Sequence, residues 1–227
     1  MRSALVTGGS SGIGLAIARM LREEGYALTL AARSVARLAA AAQELDATTY
    51  AVDVRDEEEC GRLVAAHLEA HSGLDVLVNS AGVGIAGKIG DTSTKHFDLQ
   101  QAVNLRGAFL VTREALRALR ESRGYVVNLA SIAGTIPTPG LATYGAAKAA
   151  LIALTRSLVR EERDTGVRAT ALCPAFVDTP MTTWTGLEAA EMIQPEDCAE
   201  VVRSLLRLSP AARVPVVVIE RAGDDVV

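Results

Sequence analysis

Short apolar segments alternate with longer amphipathic segments along this chain, and that alternation most limits the folds open to it. The predicted strands are rich in Ala, Val, Leu and Thr and span 4–7, 27–31, 48–52, 74–79, 125–129, 168–173 and 214–219. Helical patterns lie between them, near 13–24, 35–45, 57–71, 94–120, 143–163 and 195–208. Strict alternation predicts a doubly wound α/β fold, with a mostly parallel seven-stranded sheet and helices on both faces. No linker or repeat interrupts the pattern, so residues 1–227 are predicted to form a single domain.

Composition and cysteine usage exclude several classes of protein. The net charge is −4, whereas a nucleic-acid binder normally shows a basic excess. No apolar stretch approaches the ~20 residues of a membrane span, and the apolar N-terminal run is too short for a signal peptide. The three cysteines are far apart and without a Cys-x-x-Cys motif, which favours reduced thiols. We therefore expect a soluble, cytoplasmic protein that binds neither nucleic acid nor membrane.

A metal site is not expected either. His67 and His71 share one face of a predicted helix, but no third ligand accompanies them. A solvated face is the simpler interpretation of this pair.

A glycine-rich turn follows the first strand and opens the first helix. Its sequence is Thr-Gly-Gly-Ser-Ser-Gly-Ile-Gly over residues 7–14. Glycines in this context let backbone N–H groups and a helix N-terminus approach a pyrophosphate, although a lone glycine loop is often only a turn. The turn therefore predicts a dinucleotide site, with the following contacts: Gly8, Ser10, Ser11, Gly12, Ile13 and Gly14.

The ends of the next strands suggest which dinucleotide binds. An acid after the second strand would favour NAD, but Arg33 stands there without one, and its guanidinium suits the extra phosphate of NADP(H). A solvated arginine is the alternative. After the third strand come Asp53, which could accept a hydrogen bond from adenine or be a plain loop carboxylate, and Val54. The predicted cofactor contacts after the fourth strand are Asn79, Ala81 and Gly82, where small side chains admit a flat ring or a ribose.

Tyr144 and Lys148 form the main candidate for chemistry. Four residues apart on a predicted helix, they lie on one face. A phenol has a pKa of about 10, and a nearby cation lowers it, which would make Tyr144 a usable general acid or base. Ser131, at the end of a strand, could donate a hydrogen bond to the same substrate oxygen. Asn104 lies inside a long predicted helix, where a buried amide needs partners, so we expect a structural or relay role.

Taken together, these motifs resemble the short-chain dehydrogenase/reductase family over essentially the whole chain. The resemblance implies a Rossmann-type fold and a catalytic tetrad of Asn104, Ser131, Tyr144 and Lys148. In it, Tyr144 transfers the proton and Ser131 polarises the carbonyl. Lys148 binds the nicotinamide ribose and lowers the Tyr144 pKa, and Asn104 holds a water that links Lys148 to solvent. Tyr144 and Lys148 would thus also contact the cofactor.

The resemblance further implies that the loop after the sixth strand holds the nicotinamide, through Pro174, Val177 and Thr179. This chain departs from the family at Ser80, where a second Asn is usual, and at Ala175, where Gly is usual. Family members usually form homodimers or homotetramers. The segment 182–193 is either a lid over the substrate or a packed helix.

The sequence therefore predicts an NADP(H)-dependent oxidoreductase that interconverts a small-molecule carbonyl and an alcohol by hydride transfer. Two alternatives stay open. One is a 3-oxoacyl thioester reductase that takes its substrate on an acyl carrier. The other is a non-catalytic NADP-binding regulatory protein.

Overall fold

The computed structural model describes residues 1–223 and contains one seven-stranded sheet. Its strands are β1 Ser3–Thr7, β2 Ala27–Ala32, β3 Thr48–Ala51, β4 Val76–Asn79, β5 Tyr125–Leu129, β6 Arg168–Pro174 and β7 Val216–Ile219. Their order is β3-β2-β1-β4-β5-β6-β7, and every pairing between neighbours is parallel. The predicted fold class is confirmed, and the sheet is wholly rather than mostly parallel. Strands buried on both faces explain why the apolar runs are nearly continuous.

Within residues 1–223, seven α-helices cover the two faces of the sheet. They are α1 Gly12–Glu23, α2 Val35–Leu45, α3 Glu57–His71, α4 Thr94–Gln101, α5 Ala108–Ser122, α6 Ala142–Glu161 and α7 Pro195–Arg207. Side chains of α1, α2 and α7 form one apolar core with the sheet, and those of α3 and α5 form a second on the other face. The two cores hold the strand ends in fixed positions, and the site depends on those positions.

The helix predicted over 94–120 is in fact three elements. A π-helical segment, Ala102–Gly107, separates α4 from α5. A π turn accommodates one extra residue, and such turns are frequent at functional sites. At the end of the segment, Gly107 lies so close to the loop after β3 that a Cβ there would be 2.7 Å from Val54 Cγ2. Hydrophobic periodicity alone does not reveal this break.

His67 corrects the expectation of a solvated histidine face. Its side chain is fully buried, with Nδ1 2.9 Å from Thr29 Oγ1 and Nε2 3.0 Å from the Gly73 carbonyl. Burial and the neighbouring His71 lower the pKa of His67 to about 4, so the ring is neutral. It ties α3 to the amino edge of the sheet. Among residues 1–223, no group of three or more His, Cys, Asp or Glu side chains is arranged to hold a metal ion.

The segment 182–193 is not a packed helix, and its role as a lid over the substrate stays a prediction. It consists of turns and bends with one short 3₁₀ turn, Ala189–Glu191.

Within the described part of the chain, no helix has the length and apolar character needed to cross a bilayer. One domain over 1–227 stays a prediction, since its last four residues lie outside the described range.

Candidate active site

A cleft of about 870 Å³ runs along the carboxyl edge of the sheet. It crosses the point between β1 and β4 where the strand order reverses, which is where doubly wound folds bind their ligands. Most predicted site residues line it: Gly8, Ser10, Ser11, Gly12, Ile13, Arg33, Asp53, Val54, Ala81, Gly82, Ser131, Tyr144, Lys148, Pro174, Val177 and Thr179. The fold thus brings together residues that are up to 171 positions apart in sequence, from Gly8 to Thr179.

Two predicted cofactor contacts do not line the cleft. A Cβ on Gly14 would be 2.4 Å from the Gly8 carbonyl oxygen, so this glycine lets α1 pack against the loop. Asn79 is buried, and its Nδ2 donates to Thr112 Oγ1 at 2.9 Å and to Asn128 Oδ1 at 2.8 Å. Both residues support the site from behind. Their contact with the cofactor stays a prediction.

Asn104 also lies behind the cleft wall. Its Oδ1 accepts from the Val83 N–H at 2.9 Å, and its Nδ2 donates to the Val83 carbonyl at 2.8 Å. These two bonds tie the π-helical segment to the loop after β4. The amide partners that a buried Asn requires are therefore backbone groups of the cleft wall.

The loop between β1 and α1 suits an anionic group. Gly8 has φ +66°, and a Cβ on it would be 2.7 Å from the Ser80 backbone, so a side chain is excluded. The first turn of α1 contains no acidic residue, and the Ser11 side chain makes no capping hydrogen bond. In contrast, α3 is capped by Asp56 and carries three glutamates in its first turn. The N–H groups of α1 therefore face the cleft with their partial positive charge uncompensated, as a pyrophosphate requires.

Two arginines lie on the cleft beyond the end of β2. Arg33 was predicted from sequence, whereas Arg37 was not. Among the described residues, neither guanidinium has an ion-pair partner, and both side chains are exposed. Their spacing of four residues, across the Ser34 cap of α2, is the sequence signal that could have revealed the pair.

Asp53 lies near these arginines and is held by Arg55. The Arg55 Nε donates to both carboxylate oxygens at 2.9 Å, and its backbone N–H also donates to Oδ1. Hydrogen bonding from Arg55 lowers the pKa of Asp53, so the group is a carboxylate at neutral pH. Its orientation toward the cleft is therefore fixed before any ligand arrives.

The candidate catalytic groups meet at the ends of β5 and α6. Ser131 follows β5 directly, and its Oγ accepts from the Ala133 N–H at 3.2 Å, which leaves the hydroxyl proton available. The loop approaches α6 so closely that a Cβ on Gly145 would be 2.5 Å from the Ala133 oxygen. Tyr144, next to this contact, is therefore held beside Ser131. The Lys148 Nζ lies 5.5 Å from the centre of the Tyr144 ring.

The charge state of this group differs from the expectation. Burial raises the pKa of Tyr144 to about 12, and hydrogen bonding with Ser131 only partly opposes it. Burial lowers the pKa of Lys148 to about 8. The Lys148 Nζ donates to the Leu129 carbonyl at 2.6 Å instead of pointing at the phenol oxygen. In these surroundings the Tyr144 phenol stays protonated at neutral pH, so it can act as a general acid.

The loop after β6 is shaped by one hydroxyl. Thr182 Oγ1 donates to the Val177 carbonyl at 2.6 Å and accepts from the Thr179 N–H at 3.2 Å. Farther out, the Phe176 and Trp184 rings meet edge to face with centres 6.2 Å apart. Sequence reasoning did not identify several apolar side chains that line this end of the cleft, and they include Ile85, Leu99, Leu141 and Met181.

Comparison with known proteins agrees with this geometry. The family model described as short chain dehydrogenase matches residues 2–189. An uncharacterised oxidoreductase of Staphylococcus epidermidis is 38% identical over 202 residues, which are 88% of each chain. One from Staphylococcus aureus is 36% identical over 203 residues, with the same coverage.

Two solved structures are similar along nearly their full length. An alcohol dehydrogenase from the archaeon Thermococcus sibiricus, complexed with 5-hydroxy-NADP, superposes with a TM-score of 0.92 at 33% identity. The alignment covers 98% of this chain and 97% of that one. A single-residue variant of actinorhodin polyketide ketoreductase with NADPH gives a TM-score of 0.88 at 32% identity, over 96% and 95% of the two chains. With its glycine loop, its parallel sheet and the meeting of Ser131, Tyr144 and Lys148, the chain belongs to the short-chain dehydrogenase family of oxidoreductases.

Proposed function

We propose that this protein is an NADP(H)-dependent oxidoreductase that interconverts a carbonyl compound and an alcohol. The observation that carries the proposal is the meeting of Ser131, Tyr144 and Lys148 in one cleft with an anion-binding glycine loop. NADPH, when bound, would supply the hydride to the carbonyl carbon. The similar structures whose titles name an alcohol dehydrogenase with 5-hydroxy-NADP and a ketoreductase with NADPH support the same reaction class.

In this proposal the chain supplies the proton. Tyr144 is protonated at neutral pH and donates its phenol proton to the carbonyl oxygen as the carbon is reduced. The Ser131 hydroxyl donates a second hydrogen bond to that oxygen. The Lys148 ammonium, 5.5 Å from the ring centre, stabilises the phenolate that results. Asn104 positions Val83 in the cleft wall through its two hydrogen bonds.

Preference for NADP over NAD is proposed from Arg33 and Arg37. Both guanidinium groups line the adenosine end of the cleft, and the last residue of β2 is the small, uncharged Ala32. A phosphate on the ribose would therefore meet two unpaired cations and no carboxylate at the strand end.

The acyl-carrier alternative receives little support from the surface. Arg106 and Arg113 on the π-helical segment and α5 both pair with Glu57, and Arg120 pairs with the buried Glu162. Their positive charge is thus largely neutralised within the chain. The regulatory alternative would not require Tyr144 and Ser131 to share one substrate position.

The test compares two Tyr→Phe variants. Tyr144→Phe removes the proposed proton donor, whereas Tyr26→Phe makes the same change at the amino edge of the sheet, where its hydroxyl only accepts from Arg2. NADPH oxidation should fall at least 100-fold in Tyr144→Phe, the lower range for a general acid, and stay near the wild-type rate in Tyr26→Phe. NADPH affinity, measured by calorimetry, should be similar in both. A Tyr144→Phe enzyme that keeps more than about a tenth of the wild-type kcat would mean that the proton comes from elsewhere.

A further inference from the structure

The two ends of the cleft differ in charge. Arg33, Arg37 and Asp53 lie beyond β2 and β3, while Ser131 follows β5. Three strand spacings of about 4.8 Å separate β2 from β5 in the sheet order, or about 14 Å. At the catalytic end, Lys148 is the one charged side chain that lines the cleft among residues 1–223. Its Nζ donates to the Leu129 carbonyl, and the proposed function assigns its charge to the Tyr144 phenolate.

Several polar groups in this catalytic end are already used by the chain. The hydroxyls of Thr138 and Thr182 donate to the carbonyls of Ile136 and Val177. The N–H of Ile85 donates to the Gln100 side chain at 3.0 Å, and that of Val83 is bound by Asn104. Ser131 and Tyr144 offer hydroxyl protons to a substrate here, and both are assigned to one oxygen atom. The Thr179 hydroxyl, which accepts from the Met181 N–H at 3.3 Å, also lies on the cleft, in the loop predicted to hold the nicotinamide.

The rest of this end is apolar. Six hydrophobic side chains from four separate segments line it: Ile85, Leu99, Ile136, Leu141, Met181 and Trp184. Met181 lies close to the catalytic groups. A methyl group built on Gly84 would be 3.5 Å from Met181 Sδ and 3.9 Å from Tyr144 Cε2. A methyl group built on Gly82 would be 3.8 Å from both Met181 Cε and Lys148 Nζ.

From this arrangement, and resting on the proposed function, we infer that the substrate is an uncharged ketone or aldehyde with apolar substituents, and that Met181 selects against charge. One oxygen is recognised by hydrogen bonds, and the remainder of the molecule contacts carbon and sulfur. A carboxylate placed against these walls would lose its hydration without gaining a partner. Keto acids and phosphorylated carbonyl compounds are therefore excluded.

Three methyl ketones of nearly equal shape test this inference. They are 5-methyl-2-hexanone, 4-oxopentanoate, whose carboxylate replaces the isopropyl group, and the neutral methyl ester of 4-oxopentanoate. With saturating NADPH we expect kcat/KM for the ketone to exceed that for the acid at least 100-fold, and the ester to recover most of the difference. From 2-butanone to 2-hexanone, kcat/KM should rise about fourfold per methylene, equivalent to about 0.8 kcal/mol.

Substitutions at position 181 test whether Met181 causes the selection against charged substrates. Met181→Lys should narrow the ratio between ketone and acid at least tenfold, whereas Met181→Leu, which keeps an apolar wall, should leave it unchanged. A wild-type enzyme that reduces the acid within tenfold of the ketone overturns the inference. An unchanged ratio in Met181→Lys overturns the role of Met181.

Binding measurements distinguish a failure of this inference from a failure of the proposed function. Ligand-observed NMR on Tyr144→Phe with NADPH measures ketone and acid affinity without turnover. Tighter binding of the ketone combined with no turnover by the wild-type enzyme would leave the inferred ligand class standing and refute the proposed reaction. Equal binding of ketone and acid would overturn the inferred class whatever the turnover.

Discussion

Lys148→Met is expected to make the protein more stable at neutral pH. The ammonium is 4% exposed, and no carboxylate among residues 1–223 pairs with it. Its pKa is about 8 in the fold against 10.5 when solvated. Because a tenfold change in proton affinity corresponds to about 1.4 kcal/mol, burying the charge costs up to about 3 kcal/mol. Its hydrogen bond to Leu129 returns about 1–2 kcal/mol, which leaves a net gain of about 1–2 kcal/mol for the methionine.

The pH dependence of this effect has a definite sign. Between pH 8 and 10.5 the unfolded chain holds a proton on Lys148 that the folded chain has released, so wild-type stability rises relative to the variant. The advantage of Lys148→Met should therefore shrink as the pH rises above 8, vanish before pH 10.5 and then reverse, because the hydrogen bond to Leu129 remains once the charge is lost. Cys60 and Tyr125, whose pKa values are also raised, do not interact with Lys148, so their effects cancel in the difference between the two proteins. Cys173 does interact with Lys148, and its effect is part of the measured difference.

Urea unfolding followed by circular dichroism, at intervals from pH 7 to 10.5, measures this difference. A gain of 1–2 kcal/mol corresponds to roughly 2–8 °C in Tm for a chain of this length. Lys95→Met, on the exposed face of α4, is the matched control and should show no comparable gain. A Lys148→Met protein that is less stable than wild type at pH 7, or whose difference does not change with pH, would refute the argument that this buried charge costs stability.

Five further outcomes are expected. Arg33→Ala and Arg37→Ala should each raise the KM for NADPH tenfold or more and leave the KM for NADH unchanged. Equal effects on both cofactors would contradict the proposal that these arginines bind the ribose phosphate of NADPH. Ala32→Asp combined with Arg33→Ala should reverse the preference. For carbonyl reduction, kcat should not change with pH near neutrality and should fall above pH 8, as Lys148 and then Tyr144 lose their protons. A kcat that rises steadily up to pH 10 would rule out a phenol as the general acid. Folding stability should fall between pH 6.5 and 4, since unfolding lets His67 take up a proton, and His67→Gln should flatten that slope. Light scattering should give the mass of a dimer or tetramer.

The sequence predicted the fold because its signals are local. Each buried strand appears as an apolar run, and the Ser34 and Asp56 caps mark helix starts without reference to the rest of the chain. The break at Ala102–Gly107 escaped because it depends on Gly107 contacting the loop after β3, a distant segment. His67 escaped for a related reason: its partner Thr29 is 38 residues away.

At the site, residue types were predictable, but their orientations were not. Asn79 lies at the predicted strand end, but its amide is bound to Thr112 and Asn128, because side-chain direction follows from packing. The Tyr144 pKa is raised because burial outweighs the hydrogen bond with Ser131, and burial is a property of the folded molecule. Arg37 and Met181 acquire their significance only through the segments packed beside them.

The catalytic groups and the apolar walls lie on structurally different parts of the chain. Asn104 and Lys148 are buried on helical elements, whereas Met181 and Trp184 are 41% and 55% exposed on an irregular segment. Replacing an exposed side chain on a loop rarely changes stability by more than about 0.5 kcal/mol. Libraries that vary residues 180–185 and 136–141 can therefore explore new substrates while most members still fold. The same separation lets natural variants change substrate one loop at a time, with hydride and proton transfer left intact.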